Sequence, residues 1–198
     1  MTSLVLASAS AARLATLKAA GIEPSVVVSG VDESQVTGLE PADLARRLAE
    51  LKCAAVAEEV GGDRLVLGCD SVLELDGRAL GKPADADEAV ERWQAMRGRS
   101  GILHTGHCLR DTASGRQALR TGSTVVHFAD VTDDEIAAYV ESGEPLQVAG
   151  AFTVDGLGGA FVTGIEGDHH NVVGLSLPLL RDLVAELGHR WTDLWTRR

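Results

Sequence analysis

Between Pro41 and Val60, Leu44, Leu48, Leu51 and Ala55 recur at i, i+4, i+7 and i+11, a spacing that predicts an amphipathic helix. Lys52 falls within its apolar sector, beside Ala45, Leu48, Leu51 and Val56. A lysine there either snorkels to water or meets an anion. Uninterrupted apolar runs at 4–7 (LVLA), 25–29 (SVVVS) and 64–69 (RLVLGC) read as strands. Between the first two, Leu14, Leu17 and Ala20 share one face of a helix closed by Gly21. The stretch VLELDGRAL reads as a hairpin, since Asp76-Gly77 can take the positive φ of a two-residue turn. Asp85 and Glu88, then Thr132 and Glu135, have the spacing of capping boxes; the helices they open end at Gly98 and Gly143. Strands are expected near 101–110 and 117–128, and a last helix from Ser176 to Leu187, with Pro178 in its first turn and Gly188 after it.

Strands arrive both as hairpin neighbours and separated by helices, so the expected architecture is α/β: an elongated mixed sheet flanked by helices, with a central cleft. No repeat or linker divides the 198 residues, so one domain is expected over 1–198, any lobes sharing one continuous core, with 189–198 as a tail. Trp191 and Trp195 in that tail stand at i, i+4, a stripe for intramolecular packing or for a dimer.

A net charge of −11 argues against a nucleic-acid partner, because phosphate backbones are held by clustered Lys and Arg. Small phosphorylated ligands stay open, since for them only local charge matters. Three cysteines, none in a C-x-x-C pair, fit a reducing cytoplasm. No Lys or Arg precedes the first apolar stretch, so a leader is not expected, and no apolar run approaches the roughly 20 residues of a membrane span.

Candidate chemistry gathers in four places. In SASAAR, between strand and helix, the hydroxyls of Ser8 and Ser10, free helix-start amides and Arg13 could cradle a phosphate; the competing reading makes Ser10 an N-cap and Arg13 a solvated side chain. Lys52 and Lys82 are candidate phosphate cations, Lys82 lying between Gly81 and Pro83. Asp70 follows an apolar strand, where ligands of open α/β sheets gather, and Glu33 follows another; together they suit a divalent metal with polyphosphate. His104 and His107, three apart in a strand, should face opposite ways, which disfavours a zinc pair, and His169-His170 reads as a polar loop.

Taken together, LASASAAR, Asp32-Glu33, Lys52, GCDS, LGKP at 80–83, GEP, AGAF, DGLGGAFV and NVVGLSL resemble, in order and spacing, the Maf family of nucleoside triphosphate pyrophosphatases, from about Leu4 to Gly188. The resemblance implies a fold similar to inosine triphosphate pyrophosphatases and hydrolysis between the α and β phosphates, giving a nucleoside monophosphate and pyrophosphate. It makes Asp70 the proton acceptor, an exposed carboxyl of pKa about 3.9 ionised at neutral pH. Glu33 and Asp70 become ligands of Mg²⁺, Mn²⁺ or Co²⁺, while Ser8, Ser10, Arg13, Lys52 and Lys82 bind phosphates. Members are often dimers, so a homodimer is an expected partner. An alternative role is a nucleotide-binding regulator linked to septum formation, although a sensor needs the lysines and not the base.

The chain departs from the family pattern at Ala11, in place of Pro, and at Ala12, in place of Arg or Trp. Ser71 replaces Thr or Gln, and Asp155 replaces Gln or Glu. An acid at 155 can accept from the N1–H and N2–H₂ edge of a guanine, which favours a guanine-like or modified base.

Overall fold

A computed structural model describes residues 3–196. Its strands are β1 Ser3–Leu6, β2 Ser25–Val26, β3 Arg64–Leu75, β4 Arg78–Leu80, β5 Ser100–Asp111, β6 Gln117–Phe128 and β7 Val162–Glu166. They form one mixed sheet in the order β2-β1-β3-β5-β6-β7, with β4 beside β3. β1 runs parallel to β2 and β3, and the other pairings are antiparallel. The helices are α1 Ala11–Ala19, α2 Pro41–Glu59, α3 Ala86–Met96, α4 Asp133–Glu141, α5 His169–Val173 and α6 Leu177–Glu186. The architecture is the expected α/β sheet flanked by helices.

Local chemistry sets most boundaries. Ser10, Asp85, Thr132 and Ser176 each accept a backbone N–H from three residues on as N-caps. Thr132 and Glu135 complete a reciprocal capping box, whereas Glu88 reaches back one residue further, to Ala84 N. Asp76 and Gly77 take φ of 52° and 71° in the hairpin between β3 and β4. Three expectations need correction. β2 has only two residues, both exposed, because nothing beyond β1 pairs with it. His169 and His170 begin a short helix capped by Asp168 rather than a polar loop. Trp191 and Trp195 do not share a helical stripe: Trp191, in a 3₁₀ turn, packs on the core, while Trp195 is exposed and the Thr196 amide bonds to the Gly21 carbonyl.

β3 is the axis of the molecule. It pairs with β5 from Leu65 to Glu74, but on its other edge it meets β1 only over Arg64–Leu67 and β4 only over Leu73–Leu75. Residues 68–72 therefore have no strand on that edge, and the sheet is notched there. The buried apolar residues fall into three clusters rather than one continuous core. Leu65, Leu67 and Leu109 pack with α1 and α6; Leu73, Leu103 and Val126 pack with α3 and α4 around Trp93; Val66 and Cys108 pack with α2. The Trp93 ring meets Phe128, Tyr139 and Phe161 edge-on and donates to the Ala151 carbonyl.

α2 lies unusually low on the sheet. A Cβ on Gly68 would stand 2.6 Å from Cys53 N, and one on Gly106 would stand 2.7 Å from Arg46 Cα. The residues α2 buries are accordingly Ala45, Leu48, Ala49, Cys53 and Val56, with Leu44, Leu51 and Ala55 only half-buried. The apolar stripe is thus rotated from the one the leucines mark, because backbone-to-backbone contact selects small side chains. Gly106→Ala should destabilise the fold by about 1–3 kcal/mol through overpacking, read as a lower urea midpoint with unchanged slope.

Candidate active site

Strand alternation sends Asp70 to the α2 face of β3 and Ser71 to the opposite one. Both still reach one cavity of about 1010 Å³, because the notch in the sheet edge joins the two faces. Ser8, Ser10, Arg13, Glu33, Lys52, Asp70, Lys82 and Asp155, the residues singled out in the sequence, all line it.

Asp70 is not an exposed carboxyl at a strand end. It sits inside β3, which continues because β5 pairs past it, and it is 7% exposed. Gly106 lies directly across the ladder from it. Lys52, on the face of α2 that rests on this glycine, donates from Nζ to Asp70 Oδ1, so it meets an anion rather than snorkelling. The same ammonium lies 2.6 Å from Glu33 Oε1, in the 3₁₀ turn Glu33–Gln35 capped by Asp32. One cation therefore serves two carboxylates. Burial pushes the Asp70 carboxyl above its ordinary value, with the Lys52 and Arg13 charges pulling against that rise.

Arg13 is turned inward. Its Nε donates to Gly174 O (2.8 Å), Nη1 to Ser8 Oγ and Cys69 O (both 3.0 Å), and Nη2 to Ser71 Oγ (3.0 Å). Four of its five N–H groups are thereby spent on protein, so it is not a solvated side chain, and one N–H is left for the cavity that it lines. The guanidinium fills the notch and fixes the loop after β1 against β3. Ser8 Oγ accepts from Ser10 N and Arg13, and Ser10 Oγ accepts from Arg13 N, so each hydroxyl proton is left to point into the cavity.

Two further residues hold cavity loops. Arg92 donates to the Gly81 carbonyl (2.6 Å) and pairs with Glu88, which pins the segment bearing Lys82; Gly150 N also bonds to Gly81 O, and Pro83 is buried. Lys82 itself is exposed, with no ion-pair partner among the described residues. Glu144 accepts from Tyr139, Thr153 and the amides of Leu157 and Gly158, clamping the loop that carries exposed Asp155. Burial works against its charge, but these bonds outweigh it and hold the carboxyl below the usual range. The Glu88/Arg92 i, i+4 spacing was the available signal for Arg92; nothing local marked Glu144 as a clamp.

The histidines of β5 do not converge. His104 bonds to Glu74 and Ser123, whereas His107 accepts from Ser176 N and is buried neutral, its pKa pushed down to about 4 by desolvation.

Compared with known proteins, residues 3–187 match the family model described as Maf-like protein. A nucleoside triphosphate pyrophosphatase of Streptomyces coelicolor is 65% identical over 194 residues, 97% of this chain and 94% of that protein. One from Streptomyces avermitilis is 61% identical over 98% of this chain and 95% of its own. Among solved structures, a HAM1 protein from Coxiella burnetii aligns at 21% identity with a TM-score of 0.44, over 66% of this chain and 75% of that one.

Removing the ammonium removes a downward pull on a buried acid. In Lys52→Met the Asp70 carboxyl should titrate at higher pH than in the parent protein, read from its carboxyl ¹³C resonance; an unchanged midpoint would mean that the two charges are not coupled.

Proposed function

The chain belongs to the Maf-like protein family, and on that premise we propose that it hydrolyses nucleoside triphosphates between the α and β phosphates to a nucleoside monophosphate and pyrophosphate. The observation that carries this reading is the convergence of Asp70, Glu33, Lys52, Lys82, Ser8 and Ser10 on one cavity of about 1010 Å³. The names of relatives at 61–65% identity support it.

In the reaction, a water oxygen bonds to the α phosphorus as the bond from that phosphorus to the bridging oxygen breaks. The water's proton passes to the Asp70 carboxylate, whose raised pKa makes it a stronger base than an ordinary Asp. Lys52 and Lys82 offset charge growing on the departing pyrophosphate. The free protons of Ser8 and Ser10, with the Ala11 and Ala12 amides that lack intrahelical acceptors, bind phosphate oxygens at the start of α1. Arg13 contributes chiefly by holding this loop.

Among the described residues, no group of three or more His, Cys, Asp or Glu side chains is arranged to hold a metal ion by itself. The donor set available to Mg²⁺, Mn²⁺ or Co²⁺ is the carboxylate pair Glu33 and Asp70, where the Lys52 ammonium already stands as a cation. Hard carboxylate oxygens fit such an ion when substrate phosphates and water complete its shell. Bound there, it would supply an acidified water and neutralise phosphate charge.

Asp155 is the proposed reader of the base. Its carboxylate accepts from a donor-rich edge such as that of guanine and repels acceptor edges.

Asp70→Asn should lower turnover by about 10² or more with nucleotide binding retained, and the acid limb of the parent's kcat/KM should lie above that of an ordinary Asp, since only the ionised carboxylate accepts a proton. Pyrophosphate should be the first product with magnesium, manganese or cobalt; primary orthophosphate would reject the reaction. Asp155→Gln should reorder nucleotides across a panel without changing the product, and an unaltered ranking would remove Asp155 from the base site.

A further inference from the structure

Beside Asp70, four groups form a hydrogen-bonded chain whose direction is fixed at both ends. Arg13 Nη2 is 3.0 Å from Ser71 Oγ, Ser71 Oγ is 3.0 Å from Thr105 Oγ1, and Thr105 Oγ1 is 2.9 Å from the Asn171 carbonyl oxygen. Ser71 and Thr105 are cross-strand neighbours of β3 and β5. A guanidinium N–H can only donate, and a carbonyl can only accept.

Thr105 is fully buried and has a single hydroxyl proton. That proton goes to Asn171 O, because two buried oxygens at 2.9 Å with no proton between them would repel. Towards Ser71, Thr105 can then only accept, so the one proton of Ser71 points into the protein. Ser71 also takes an N–H from Arg13, leaving a single lone pair for the cavity that it lines.

We infer that Thr105 is a positioning residue that locks Ser71 as a hydrogen-bond acceptor, which receives an N–H or O–H donor of the bound nucleotide. Ser8 and Ser10 are the opposite case: their protons are unspent and suit phosphate oxygens. Ser71 cannot serve a phosphate or a base carbonyl. With Asp155 it gives the cavity two acceptors for the uncharged part of the ligand. The inference rests on the nucleotide reading of the cavity and goes beyond it in naming the polarity that the ligand must present. Two sources share that chemistry: an amine on the base, and the ribose 2′-hydroxyl.

The test is calorimetric binding of GMP, IMP, XMP and dGMP, which needs no turnover. IMP lacks the 2-amino donor, XMP carries a carbonyl there, and dGMP lacks the 2′-hydroxyl. Thr105→Val releases the Ser71 proton. If the donor is on the base, the preference for GMP over XMP should narrow by about tenfold; if it is on the ribose, the GMP to dGMP ratio should narrow instead. Thr105→Ser should restore the parent ratios. Ser71→Ala should itself move the same ratio, and Thr105→Val added to it should do nothing further. Unchanged ratios in folded Thr105→Val or in Ser71→Ala, or equal weakening of all four ligands, would overturn the proposal. Absence of pyrophosphate release with the ratios shifting as expected would reject the reaction and leave Thr105 in its role; failure of the parent protein to bind any of the four would overturn both.

Discussion

A buried carboxylate with a lysine laid over it is the interaction on which the site depends. Asp70 is held within the middle strand of the sheet, and the Lys52 ammonium beside it, together with the Arg13 charge, makes an ionised group tolerable there. That contact requires α2 to lie almost on the backbone of β3 and β5. Gly68 and Gly106 permit it, and Ala45, Ala49 and Cys53 are the small residues that the approach accepts. Packing and chemistry are therefore one constraint: the glycine that seats the helix lies opposite the acid that the helix lysine serves.

The cleft is a consequence of pairing. β3 is long enough to carry β1 at one end and β4 at the other, and the stretch between them has no strand on that edge. Groups from both faces of the sheet can meet in this notch. The loops around it are not left to fluctuate: Arg13, Arg92 and Glu144 each tie a loop to the body of the protein with several hydrogen bonds. Each spends most of its polar capacity inward, so the groups left facing the cavity are few and of defined polarity.

The arrangement has a cost. A carboxyl whose pKa is raised by folding favours the folded state when protonated; that contribution is present below the unfolded value and lost as the pH rises through the folded one. Ionising this acid therefore works against the protein's own stability. The same desolvation makes the group a stronger base, the property that hydrolysis needs.

Much of this was legible in the sequence. The capped helices, the Asp76-Gly77 hairpin and the two long strands follow from local chemistry, which acts over three or four residues and is written in them. The residues that line the cleft were legible too, as an ordered set of motifs. The burial of Asp70 was not. The apolar run ends at Cys69, and only pairing with β5, where Gly106 lies 36 residues on from Asp70, carries the strand through the acid. Nor did the leucines of α2 reveal which face is buried, because the choice was made by two glycines in other elements. The inward turn of Arg13 and the direction of the Ser71 proton depend on carbonyls and hydroxyls at residues 69, 105, 171 and 174. Side-chain identity sets which bonds a group can make. Which of them it does make is decided by the partners that the fold brings within reach.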